Sequence, residues 1–313
     1  MKIVITGGAG FIGSNIAEEL SKEKDNEIII VDDLSTGKMA NIRKFNRSTN
    51  INFVRGSITD LNLLKGVFKD TDYVFHQAAI PSVPRSVKDP IASNNANING
   101  TLNVLVAAKD CDVKKVVYAS SSSVYGDTPE LPKREDMTPN PLSPYAVTKL
   151  LGEYYCNVFN DIYGLKTVSL RYFNVYGPRQ DPYSDYAAVI PKFINRVSEN
   201  KPPVIYGDGE QTRDFTFVKD VVKANVLAAK SDAGGVYNIA NGNRISINEL
   251  ANMIMKLMGN NLTPMHEDPR EGDVKHSLAD ISRAKKNLGY EPMYNLEEGL
   301  RETIKWFDLG KPV

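Results

Sequence analysis

"KIVITGGAGFIG", residues 2–13, decides the fold. The β-branched run at its start (residues 2–6) reads as a strand, and "IGSNIAEELSKE", beginning at Ile12, has helical spacing. Between them Gly8, Gly10 and Gly13 satisfy G-x-G-x-x-G, and Gly7, Gly10 and Gly13 repeat the spacing in a second register. Such a turn needs glycine to bend tightly, to let backbone approach a pyrophosphate, and to pack helix against strand. The N–H groups and dipole at the helix start then hold the anion. The next β-branched run ends near Asp32, about twenty residues after the glycines. A carboxylate there accepts hydrogen bonds from ribose hydroxyls and repels a 2′-phosphate, so the expected cofactor is NAD rather than NADP.

Outward from this turn, short β-branched runs at 27–33, 51–56, 73–79, 114–120 and 166–172 alternate with helical patterns. Nearly continuous apolar runs are expected where helices cover both faces of a sheet. The alternation predicts an α/β fold, a doubly wound parallel Rossmann sheet, over residues 1–172. Residues 173–313 are richer in proline and glycine at first ("NKPPVIYGDGEQ") and predict a smaller α/β C-terminal lobe, with some later segments returning to the sheet. Leu296, Leu300 and Ile304 recur every four residues and read as core of that lobe.

The 313 residues carry 38 basic and 38 acidic side chains, and sparse pairs such as Lys114 and Lys115 form no nucleic-acid stripe. Cys111 and Cys156 lack ligand spacing and His76, His266 and His276 do not cluster, so no metal is expected. There is no signal-like or bilayer-length apolar run, which predicts a soluble, cytoplasmic protein without a membrane partner.

"NPLSPYAVTKLLGEYY" (140–155) carries the strongest chemical signal. Ser143 is an N-cap and Pro144 suits the first helical position, which puts Tyr145 and Lys149 at i and i+4 on one face. An ammonium about 4 Å from the phenol, at an effective dielectric of ~20, contributes roughly 4 kcal/mol, or about three pKa units. That would bring the phenol near neutrality, where a general acid–base works best. Val147, Leu151, Tyr154, Val158 and Ile162 lie roughly opposite, an apolar stripe suited to a partner helix in a homodimer.

Together "TGGAGFIG", Asp32, "SSSSVYG" (120–126) and "YAVTK" (145–149) resemble the extended short-chain dehydrogenase/reductases. Within that family "NINGTLNVL", "RYFNVYGPRQ", "YGDGEQTRDFTFVKD" and "PREGDVKHSLAD" are similar to nucleotide-sugar 4-epimerases of the UDP-glucose and UDP-N-acetylglucosamine type. The resemblance implies that Gly7, Gly10, Phe11, Ile12, Gly13, Asp32, Ser57, Ile58, Ala78, Ala79, Asn99, Tyr145 and Lys149 hold NAD, although Ser57 stands where related enzymes carry aspartate. It assigns the UDP-sugar to Ser82, Arg85, Ser121, Ser122, Tyr145, Asn174, Arg213, Arg270, Asp273 and Ser277, and catalysis to Ser121, Tyr145 and Lys149.

Ser121 lies four residues before Tyr125 and matches the family's active hydroxyl, with Ser122 its nearest rival; Ser120 reads as satisfying backbone. Ser122 and Ser123 stand where family 4,6-dehydratases carry an Asp-Glu pair, which disfavours dehydration. The small Ser277 and the "SVPRS" segment (82–86) imply room for an N-acetyl group, hence UDP-GlcNAc and UDP-GalNAc. A UDP-glucuronate epimerase or decarboxylase is the alternative. A non-catalytic NAD-binding regulator would be expected to lack the Tyr-Lys pair.

Overall fold

The computed structural model describes residues 1–43, 45, 50–182, 188–269 and 274–309. Six parallel strands follow the predicted alternation: β1 (Lys2–Thr6), β2 (Glu27–Asp32), β3 (Ile51–Arg55), β4 (Tyr73–His76), β5 (Lys115–Ser121) and β6 (Thr167–Tyr172). A seventh strand, Gly235–Ile239, pairs in parallel with β6 and closes one edge. The order across the sheet is Gly235–Ile239, β6, β5, β4, β1, β2, β3. The chain runs outward from β1 to β3, then crosses back to β4 on the other side of β1. That reversal opens a crevice beyond the carboxyl ends of β1 and β4, where ligands bind in sheets of this kind.

Alternation along each strand feeds two cores. Ile3, Ile5, Ile28, Ile30, Phe75, Val117 and Leu170 pack on one face, and Val4, Ile29, Val31, Val74, Val116 and Tyr118 on the other. Both sides of each strand are thus buried, which is why these runs read as continuously apolar. The helices that matter for the site are α1 (Phe11–Leu20), α2 (Met39–Ile42), α3 (Leu61–Val67), α4 (Val83–Lys88), α5 (Pro90–Asn94), α6 (Gly100–Asp110) and α7 (Pro144–Tyr163). A π-helical turn, Asn95–Asn99, joins α5 to α6.

A third core belongs to the second lobe and gathers helices Val189–Ser198, Ile247–Leu257 and Leu296–Leu309. Leu300 and Ile304 are buried in it, as their spacing predicts. Phe11 and Ile12 pack against the same core, so the second lobe is seated directly on the glycine-rich turn. Among the described residues, no helix is long and apolar enough to cross a membrane.

Candidate active site

The glycine-rich turn is built as its spacing requires. Gly7 has φ of +71°, and a Cβ there would sit 2.6 Å from the Ala78 backbone. A Cβ on Gly13 would sit 2.3 Å from the Gly7 carbonyl oxygen. The Gly10 N–H donates to that carbonyl at 3.1 Å and closes the turn. Helix α1 then starts with no side-chain cap on its first turn, the arrangement that receives a phosphate.

Asp32 ends β2 nearly buried; its Oδ2 accepts the Ala9 N–H at 2.9 Å and its Oδ1 the Leu34 N–H at 2.8 Å. Burial pushes its pKa up, against the pull of those two donors. A carboxylate has about four acceptor sites, so those left over can receive ribose hydroxyls. The turn with no room for side-chain atoms and the acidic strand end together fit a dinucleotide.

A cleft of ≈ 930 Å³ runs along the strand ends, lined by Gly7, Gly10, Phe11, Ile12, Gly13, Asp32, Ser57, Ile58, Ala78, Ala79, Ser82, Arg85, Tyr145 and Lys149. Asn99 does not line it: it is exposed and its amide donates to Asn95 Oδ1 at 3.0 Å. The asparagine that braces the wall is the buried Asn97. Its Oδ1 accepts from Ile80 N at 2.8 Å, and its Nδ2 donates to Ile80 O at 3.2 Å and to Thr148 Oγ1 at 3.1 Å. Thr148 in turn donates to the Tyr145 carbonyl at 2.8 Å.

Ser143 caps α7 as expected, with Pro144 in the first turn. The helix packs tightly on β5, since a Cβ on Gly152 would meet the Tyr118 hydroxyl at 2.2 Å. Lys149 is buried and donates to the Ala119 carbonyl at 2.8 Å. Its ammonium lies 5.2 Å from the Tyr118 ring centre and 5.8 Å from that of Tyr145.

This corrects the electrostatic expectation. Burial raises the Tyr145 phenol above its ordinary range, and a hydrogen bond with the Ser121 side chain works against that rise. The Lys149 charge is turned toward a carbonyl and an aromatic face, and burial brings its own pKa down to about 8. The side chain that pulls on the phenol is Ser121, while Lys149 is held by the strand.

The four serines part company along the strand end. Ser120 lines the cleft, and its hydroxyl donates to Glu153 rather than to the backbone. Ser121 accepts from the Ser123 N–H at 3.2 Å and the Ser123 hydroxyl at 2.9 Å, so its Oγ is held by the turn that follows β5. Ser122 opens a short 3₁₀ turn, Ser122–Tyr125.

On the sugar side, Ser82 has φ of +93° and caps α4, accepting the Arg85 N–H at 3.4 Å. Asn174 Nδ2 donates to the Asp214 carbonyl at 2.9 Å and reaches Ser277 Oγ at 3.5 Å, which brings two predicted residues together. Arg213 Nη1 donates to the Thr212 and Lys275 carbonyls. Arg270 and Asp273 lie outside the described residues.

Two groups went unread in the sequence. Gln77 and Tyr172 line the cleft and are tied to Asn225 by hydrogen bonds of 3.2 and 3.0 Å. Asp214, fully buried, accepts N–H groups from Asn241, Gly242 and Ala279, and burial pushes its carboxyl up to about 7.

The comparisons agree with this geometry. The model of the "NAD dependent epimerase/dehydratase family" matches residues 3–240. A putative UDP-glucose 4-epimerase of Methanocaldococcus jannaschii is 41% identical over 97% of both chains. The solved structure of a UDP-N-acetylglucosamine 4-epimerase from Methanobrevibacter ruminantium, in complex with UDP-N-acetylmuramic acid, is 46% identical over 99% of both chains, with a TM-score of 0.96. A UDP-glucuronic acid 4-epimerase from Bacillus cereus, in complex with UDP-glucuronic acid and NAD, is 36% identical over 99% of both chains, with a TM-score of 0.92. With the turn, the cleft and the relatives all in agreement, the chain belongs to the NAD-dependent epimerase/dehydratase family.

Proposed function

We propose that this protein is a UDP-hexose 4-epimerase that interconverts UDP-GlcNAc and UDP-GalNAc, and also accepts UDP-glucose and UDP-galactose. The observation that carries the reading is that Tyr145 and Lys149 line the cleft that begins at the glycine-rich turn, with the Ser121 side chain close enough to the phenol to pull its pKa down. When bound there, NAD supplies the hydride acceptor and donor for C4 of the sugar. The Tyr145 oxygen takes the proton of the C4 hydroxyl and later returns it, ionised for the first half-step against the rise that burial imposes, with the Ser121 hydroxyl holding O4 and sharing that proton. Lys149 places positive charge beside the ribose. Asn174 and Ser277 hold the sugar and leave room at C2, and Arg213, Arg270 and Asp273 take the UDP moiety.

The test is to offer each UDP-sugar to the purified protein and identify products by NMR. Conversion of UDP-GlcNAc is expected. Conversion of UDP-glucose alone would sink the N-acetyl assignment, and a 4-keto-6-deoxy product would sink epimerisation. UDP-glucuronate belongs in the same panel, because Arg85 lines the cleft and the Bacillus cereus relative binds that sugar.

The same reading includes a homodimer through α7. Val147, Tyr154, Val158 and Ile162 are 40, 51, 43 and 70% exposed, and Val87 and Ile91 on the neighbouring α4 and α5 extend the apolar face.

A further inference from the structure

Helix α7 leaves the cleft wall in an unusual way. The first backbone donors of a helix have no partner within it and must be satisfied elsewhere. Pro144 has no N–H. The Ala146 N–H goes to Ser143 Oγ at 3.2 Å and the Val147 N–H to Ser143 O at 3.0 Å, both local. The Tyr145 N–H instead donates across to Ser86 Oγ on α4, at 3.0 Å.

Ser86 is fully buried, and its own hydroxyl donates to the Val83 carbonyl at 2.7 Å. That hydroxyl is therefore engaged as donor and as acceptor at once. Its helix is the one whose Ser82 and Arg85 line the cleft, and the Ser86 N–H donates back to the Ser82 carbonyl at 3.2 Å.

We infer that Ser86 is a positioning residue for the reaction: it ties the Tyr145 backbone to the cleft wall on α4, so that phenol and sugar keep one registration. The inference rests on the reading of Tyr145 as the acid–base. The other links reaching this turn act elsewhere, since Asn97 reaches Tyr145 only through Thr148 and the Tyr145 carbonyl. The Ser86 bond is the one made to the Tyr145 N–H. Misplacement by about 1 Å costs on the order of 100-fold in rate, so a small pivot of this first turn is enough to matter.

The experiment compares the wild type with Ser86→Ala, Ser86→Cys and Tyr145→Phe, on protein isolated with its NAD. Turnover is expressed per bound NAD, so that lost folded protein does not count as lost chemistry. Ser86→Ala should lower kcat about tenfold or more with KM for the UDP-sugar within about twofold of wild type. Ser86→Cys keeps the volume with a poorer acceptor and should fall between the two. An unchanged kcat in Ser86→Ala, or a raised KM at unchanged kcat, would overturn the inference. If Ser86→Ala does not fold, Ser86→Cys decides alone, and a kcat within about twofold of wild type overturns it. Tyr145→Phe separates the two claims. Normal turnover there would sink the acid–base reading itself, whereas a dead Tyr145→Phe beside a fully active Ser86→Ala would sink only the role of Ser86.

Discussion

Arg171 grips Glu153 with two hydrogen bonds, Nε to Oε1 at 2.9 Å and Nη2 to Oε2 at 2.7 Å, with both side chains under 5% exposed. Ser120 donates to the same carboxylate, and the guanidinium lies 4.6 Å from the Tyr125 ring centre. The pair therefore sits beneath the strand end that carries Ser120 and Ser121. Burial works against the arginine's charge, yet the Glu153 carboxylate more than compensates and the arginine's pKa rises.

Removing one partner of such a pair strands the other charge in the core. Glu153→Gln should lower stability by about 3 kcal/mol in urea unfolding. The double variant Glu153→Met/Arg171→Met should lose clearly less than the sum of the two single variants, because neither charge is left alone.

His76 should set part of the acid limit of stability. It is fully buried between Thr6 and Thr101, with ring contacts of 2.8 and 2.9 Å. Thr101 already donates to the Asn97 carbonyl, so His76 Nε2 donates to Thr101 and Nδ1 accepts from Thr6. Burial, aided by the Lys149 charge, lowers its pKa from 6.5 to about 3. Between those values the unfolded chain binds the extra proton and the folded one does not. Its contribution is therefore whole above about pH 6.5 and is lost as pH falls toward 3, about 2 kcal/mol by pH 5. Denaturant titrations at pH 7 and pH 5 should show this loss in the wild type and a smaller one in His76→Gln.

Gly13→Ala places a Cβ against the Gly7 carbonyl in the turn that would carry the pyrophosphate. The variant should be isolated with little or no NAD and bind added NAD at least ~100-fold more weakly by calorimetry, the order expected when backbone can no longer approach the phosphates.

A charge in the exposed face of α7 should separate subunits. Tyr154→Glu/Ile162→Glu is expected to shift the mass in light scattering from two chains to one, since an interface of this kind tolerates no unpaired buried charge. A wild type that is already monomeric at micromolar concentration would remove the dimer from the account.

Much of this site was legible in the sequence because its signals are local. A glycine turn between strand and helix, and Ser143-Pro144 ahead of Tyr145, are set by neighbours within a few residues. What failed depended on phase or on distance. The resemblance assigns Asn99 to the cofactor, whereas in the π-helical turn over Asn95–Asn99 it is Asn97 that is buried. Helix spacing put Lys149 beside the phenol, yet the ammonium's direction is decided by the Ala119 carbonyl on another element. The edge strand Gly235–Ile239 and the buried Asp214 depend on partners from β6 and from residues 241–279, contacts that no local pattern announces.

On this reading Tyr145, in the cleft and beside Ser121, moves the proton of a sugar hydroxyl. The most direct measurement is kcat for Tyr145→Phe with UDP-GlcNAc, alongside the amount of NAD that co-purifies. Full NAD content with kcat lowered by about 10²–10⁴-fold is the predicted result. Turnover within tenfold of wild type at full NAD content would contradict it.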